Sequence, residues 1–210
     1  MPKLLLPRAL APLLTALLAL AACAVRAQAP SPALQRVQGT QWVSVERSAG
    51  GLGLSYTFLD GGRVIEDFGA LIDFSFRTQG DQLVMTIDGT DLRSRYAIGD
   101  GKLTLRGDDG TERIYLRAGP RSSPPVLHGL WHFRHESGAP AEMFFDRADR
   151  GLMRVLMKQR EGRYRAADDG TLVMQMNSGR DAALTVSVDG NAMETRSGGK
   201  TRRRRAVIAR

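Results

Sequence analysis

The sequence predicts an all-β protein built of two tandem antiparallel meander units. Three observations carry that expectation. Short apolar–polar alternating runs are broken every 8–12 residues by Asp-Gly or Gly-Asp pairs, the signature of successive hairpins. Landmarks of residues 39–117 recur in residues 128–210 at a nearly constant offset. A proline-rich connector, Ala118-Gly-Pro-Arg-Ser-Ser-Pro-Pro125, stands between the two stretches.

The chain opens with two basic residues, Lys3 and Arg8, followed by an apolar stretch from Ala9 to Ala22. That stretch is shorter than the roughly 20 residues a membrane-spanning helix needs, and it fits the apolar region of a secretory signal. Residues 1–22 are therefore expected to be a signal peptide. It ends in Leu20-Ala21-Ala22-Cys23, and Cys23 is the only cysteine of the chain. The ending resembles the lipobox of bacterial lipoproteins. The resemblance implies cleavage before Cys23, acylation of that residue and, with Ala24 rather than aspartate behind it, a place on the outer membrane facing the periplasm. Cleavage after Ala27 is the alternative, and it would release a soluble periplasmic protein. A thiol kept nowhere else suits an exported chain, because stray thiols in an oxidising compartment form unwanted disulfides.

Residues 23–38 carry two prolines and no period and read as a tether. Fully extended, they reach roughly 50 Å, so the body need not touch the membrane. The first unit, 39–117, begins at Gly39-Thr-Gln-Trp42. Runs at Gln41–Arg47, Leu54–Leu59, Leu71–Arg77, Leu83–Ile87, Tyr96–Ile98, Leu103–Leu105 and Arg113–Arg117 read as strands, with Asp60-Gly61, Gly80-Asp81, Asp88-Gly89, Gly99-Asp100 and Asp109-Gly110 as turns. Glu66 and Asp67 fall in a stretch that reads as a loop. After the linker, 118–127, the second unit repeats the pattern over 128–210. Trp131 answers Trp42, and Leu172-Val-Met174 answers Leu83-Val-Met85, each 41 residues beyond its tryptophan. Asp189-Gly190 answers Asp100-Gly101, and Thr201-Arg202-Arg203 answers Thr111-Glu112-Arg113. Over Ala148–Gln159 the spacing of Leu152, Val155 and Leu156 admits a helix as well as a strand.

The Gly-x-Trp at a first strand, the run of antiparallel hairpins and an arginine on a last strand resemble the lipocalin, or calycin, pattern. The resemblance implies small β-barrels or half-barrels in which a last-strand arginine lies over the first-strand tryptophan. It gives Trp42 with Arg113, and Trp131 with Arg203, as structural pairs held by cation–π contact.

The formal charge of +8 is unevenly placed. Residues 23–199 balance 22 basic against 22 acidic side chains, while Lys200–Arg210 holds six basic residues and no acid. Lys200, Arg202, Arg204 and Arg205 are thus candidates for contact with an anionic surface; nucleic acid is not an expected partner of an exported chain. Because the run also answers the last strand of the first unit, it reads equally as a final strand.

Nothing in the chain spells out catalysis. The carboxylates sit mostly at turns, no nucleophile elbow or phosphate loop occurs, and no cofactor is implied. His128, His132 and His135 cluster around Trp131, but strand alternation turns His132 and His135 to opposite faces, which argues against a shared metal. Six of the eight methionines lie in the second unit, where they serve as core filler or line an adaptable pocket. The functional expectation is a non-catalytic envelope lipoprotein that binds a small apolar ligand. Inhibition or neutralisation of a toxin or hydrolase through protein contact is the first alternative, and surface tethering the second.

Overall fold

Alternation of apolar and polar residues between Gly-rich turns produces fourteen antiparallel strands in a computed structural model of the protein, which describes residues 32–120, 122–169, 171–177 and 184–208. Cys23, the signal segment 1–22 and residues 23–31 of the expected tether lie outside the described residues. A short helix α1 (Pro32–Val37) precedes β1 (Gln41–Ser44), β2 (Leu52–Phe58), β3 (Arg63–Gln79), β4 (Gln82–Ile87), β5 (Thr90–Gly99), β6 (Lys102–Gly107) and β7 (Glu112–Arg117). After the linker come β8 (Gly129–Arg134), β9 (Pro140–Phe145), β10 (Arg150–Ala166), β11 (Leu172–Met176), β12 (Leu184–Asp189), β13 (Ala192–Ser197) and β14 (Lys200–Ile208). The region 148–159, open to either reading from sequence, is strand: it belongs to β10. No helix among the described residues is long and apolar enough to cross a membrane.

The seven-strand repeat is present, but its two copies do not close on themselves. Consecutive strands pair throughout, β1 also pairs with β14, and the 17-residue strands β3 and β10 run antiparallel to each other from Arg63↔Arg163 to Ser75↔Arg150. The pairing divides the sheet into two rings. The first half of β3 pairs with β2 and the second half with β4, while β10 gives its first half to β9 and its second to β11. One ring, here called the Trp42 lobe, therefore contains β1, β2, the start of β3, the end of β10 and β11–β14. The Trp131 lobe contains the end of β3, β4–β9 and the start of β10. Each copy contributes its opening strands to one lobe and its closing strands to the other. The two tandem units, 39–117 and 128–210, thus do not close separately; their strands interleave in two lobes.

Each lobe has its own core. In the Trp42 lobe, Trp42, Tyr56, Phe58, Val64, Tyr164, Met174 and Met193 are buried together. In the Trp131 lobe, Trp131, Phe74, Phe76, Leu83, Leu103, Met143 and Phe145 are. Full burial of such side chains stabilises by about 1.5–3 kcal/mol each, so either lobe has a substantial drive to close. Met174 and Met193 are wholly inside the packed core, which makes these methionines core filler. The segment before each tryptophan also enters the core. Val37 of α1 is fully buried, so residues 32–38 dock on the body instead of extending as tether. Leu127, at the end of the linker, does the same in the other lobe and accepts a hydrogen bond from Trp131 Nε1 at 2.8 Å.

A third cluster joins the lobes. Val43 alternates with Trp42 and so faces outward from its lobe; Leu152 alternates with Met153 and faces outward from the other. They meet each other and Leu71, with Val207 packed alongside. Beside them Arg154, 4 % exposed, lies among polar partners: Glu142 accepts from its Nε at 3.0 Å and from Nη2, Ser55 Oγ accepts at 2.7 Å, and Asp67 is 3.8 Å away. Asp67 also accepts from Gln159 at 2.8 Å. Two lobes cut from one sheet are thus packed back to back around a buried ionic layer.

Candidate functional site

The polar end of the Trp42 lobe is the part of the molecule that departs from its twin. Register equates Tyr56 with Met143, since these residues face Trp42 and Trp131, and Glu66 with Met153, the next strand over. Arg160 faces Glu66 as Ile72 faces Met153. Arg204 faces Met193 as Tyr115 faces Leu103, and Thr195 takes the place of Leu105. Five positions that are apolar or aromatic in one lobe are polar in the other, three of them charged: Glu66, Arg160 and Arg204.

These side chains contact one another and line an open cleft of about 320 Å³. Arg204 is 2 % exposed; its guanidinium stacks over the Tyr56 ring with the carbon 4.6 Å from the centroid. Its Nη1 donates to Thr195 Oγ1 and its Nη2 to Tyr56 Oη at 3.4 Å, while its buried Nε has no hydrogen-bond partner. Tyr56 Oη donates to Glu66 Oε2 at 2.8 Å. Burial and the neighbouring Glu66 carboxylate push the Tyr56 phenol well above its usual range, so it stays a donor, and burial lowers Arg204 from its usual value. Glu66, 4 % exposed, is held from its other side by Arg160, whose Nε donates to Oε1 at 2.8 Å. Leu54 and Met176 provide apolar wall, and Ser197, Lys200 and Arg202 complete the lining.

Strand alternation decides the fate of the basic run. On β14 the even positions Lys200, Arg202 and Arg204 line the cleft, whereas Arg203 and Arg205 point outward to Glu194 and Asp73. The expected common surface of Lys200, Arg202, Arg204 and Arg205 is therefore divided: Arg204 is inside, Arg205 is ion-paired on the other face, and Lys200 and Arg202 are at the cleft.

The expected Trp–Arg pairs also need correction. Arg113 pairs with Glu136 and Arg203 with Glu194, both at the surface. The guanidinium over Trp131 belongs to Arg117, 5.0 Å from the ring centroid, and it donates to the carbonyls of Val126 and His128 at 2.8 Å each. Arg117 comes from the first copy and Trp131 from the second, as the exchange of strands requires. Opposite Trp42 the corresponding position is Ala206, and the cation–π contact of that lobe is Arg204 on Tyr56.

Glu66 and Asp67, read from sequence as loop residues, lie within β3 and are buried by partners on β10 more than 90 residues away. No local signal marks them; only the pairing of β3 with β10 does. The three histidines do not converge. His128 lies against Phe76, with ring centroids 6.2 Å apart, His132 Nδ1 is 3.4 Å from Glu142, and His135 bonds Ser137 in its turn. Among the described residues no group of three His, Cys, Asp or Glu is placed to hold a metal ion. Comparison with protein-family models, with curated proteins and with solved structures finds no match to this chain.

Proposed function

We propose that the protein is a non-catalytic binding module of the bacterial envelope, tethered through an acylated Cys23, and that its ligand is a small amphiphile received at the cleft of the Trp42 lobe. The observation that carries the reading is the contrast between the lobes. The Trp131 lobe fills the corresponding positions with Met143, Met153, Ile72, Tyr115 and Leu105, which suffices for stability. The Trp42 lobe instead places charged groups beside an opening walled by Leu54 and Met176. Buried charges cost several kcal/mol each before their partners are counted, so a fold that has an apolar solution next door retains them for something other than stability. A concave site with apolar wall and few convergent polar groups is the usual form of a ligand site.

Isothermal titration calorimetry with twelve-carbon amphiphiles of different head-group charge tests this reading. The expected result is saturable binding of at least one of them at one per chain, lost when Ser197→Trp fills the cleft mouth. Absence of saturable binding across the set would overturn it. The anchor has its own test: mass spectrometry of the mature N-terminus is expected to find acyl chains on Cys23 that Cys23→Ser abolishes, and a start at Gln28 would contradict it.

A second reading, contact with a protein partner, draws on Ile114 and Leu116. Both are about half exposed on the same face of β7, an apolar patch on the outside of the Trp131 lobe.

A further inference from the structure

We infer that the ligand received at this cleft carries an oxyanionic head group, a carboxylate or a phosphate monoester, bound by Arg204 with Lys200 and Arg202. The inference rests on the cleft being a ligand site and adds the chemistry of what enters it.

Among the described residues the lining holds four cations, Arg160, Lys200, Arg202 and Arg204, and one carboxylate, Glu66. Glu66 is committed: it accepts from Tyr56 on one oxygen and from Arg160 on the other. Among the described residues no carboxylate lies within ion-pairing distance of Lys200, Arg202 or Arg204. The contrast within one strand sharpens this. Arg203 and Arg205, facing away from the cleft, each have an acidic partner, and the three cations of β14 facing the cleft have none among the described residues.

Arg204 itself is short of acceptors. A guanidinium has five N–H donors and no acceptor. The hydrogen bonds it makes go to two hydroxyls and a carbonyl, the Arg202 oxygen at 3.5 Å, and its Nε makes none. A buried cation whose hydrogen bonds go only to neutral oxygens, with Glu66 reached through Tyr56, lacks the directly paired counter-charge that ordinarily accompanies burial. Carboxylates and phosphates, which offer two oxygens to accept paired N–H bonds, are the natural complement of such a fork. The stacking on Tyr56, the Thr195 hydroxyl and the Tyr56–Glu66–Arg160 chain fix the guanidinium in place beforehand, so little side-chain entropy remains to be lost on binding. The arrangement also rejects cations, because Lys200 and Arg202 flank the approach.

The amphiphile titration separates this inference from the reading on which it rests. Dodecanoate and dodecyl phosphate are expected to bind at least about tenfold more tightly than dodecanol and dodecyltrimethylammonium, a margin typical of one charge-assisted contact. Raising sodium chloride from about 20 to about 200 mM is expected to narrow that margin, since the rim cations are screened. The double change Lys200→Gln with Arg202→Gln, at the exposed end of β14, leaves the core untouched and is expected to reduce the preference for the anions several-fold. Arg204→Met, checked for its thermal transition, is expected to abolish it. Equal binding of neutral and anionic amphiphiles, or an anion preference unchanged in the rim variant and in folded Arg204→Met, would overturn the inference while leaving the cleft as a ligand site. No binding of any member would remove both.

Discussion

Arg204 occupies an interior position that a reading by constant offset assigns to the exterior. Counting 90 residues from Ile114 places it outside; the structure aligns it with Tyr115, because the β13–β14 hairpin sets Ser197 opposite Lys200 across two glycines, where β6–β7 sets Gly107 opposite Thr111 across three residues. One residue of difference moves a strand's side chains to opposite faces, and here it brings a cation into a lobe. Asp67 shows a related effect at the layer between the lobes. Burial pushes its carboxyl above the ordinary 3.8, against the lowering pull of Gln159 and Arg154. The folded protein therefore holds this proton more tightly than the unfolded chain does. Deprotonation favours unfolding, so Asp67's contribution to stability falls as pH rises from 3.8 to its raised folded value and is constant above it. Asp67→Asn is expected to remove that fall: the urea-derived stability of the wild type minus that of the variant declines across this window. A difference that rises with pH would contradict the burial account.

At the scale of elements, the hairpins were legible and the long strands were not. Runs such as Leu83–Ile87 and Leu103–Leu105 alternate cleanly between Gly-Asp turns, and they are strands. Arg63–Gln79 and Arg150–Ala166 are obscured because each strand passes from one lobe to the other, and carries acids and arginines that only the facing strand satisfies. Glu66 with Arg160 and Asp67 with Gln159 are invisible to local pattern reading for that reason. So was the cleft: the basic run was evident, but its division into cleft-facing and outward-facing residues depends on register. The crossing also demands small residues. A Cβ on Gly69 would meet the Val155 carbonyl oxygen at 1.9 Å, and one on Gly151 would meet the Phe74 ring at 2.1 Å. Gly69→Ala is expected to cost about 1–3 kcal/mol in denaturant unfolding, the range for overpacking against a fixed backbone. Gly138→Ala, in an open turn, is expected to cost less, through its positive φ alone. Equal costs would argue that β3 and β10 are not in close contact at Gly69.

At the scale of the whole molecule, two like sets of seven strands form one interleaved body. Each copy supplies three opening strands to one lobe and four closing strands to the other, and the shared strands β3 and β10 bind the copies through thirteen paired positions. Neither copy encloses its own tryptophan: Trp42 is shut in by β10–β14 and Trp131 by β3–β7. Twin lobes of equal strand number then become free to differ, one filled with apolar side chains, the other opened around Arg204 and Glu66. The most direct test of this exchange is to place a protease site in the 118–127 linker, cleave the folded protein, and weigh the product by native mass spectrometry and size-exclusion chromatography. Interleaved lobes predict a single species containing both fragments, which separate only with global unfolding in denaturant; two fragments that part under native conditions and each remain folded would contradict it.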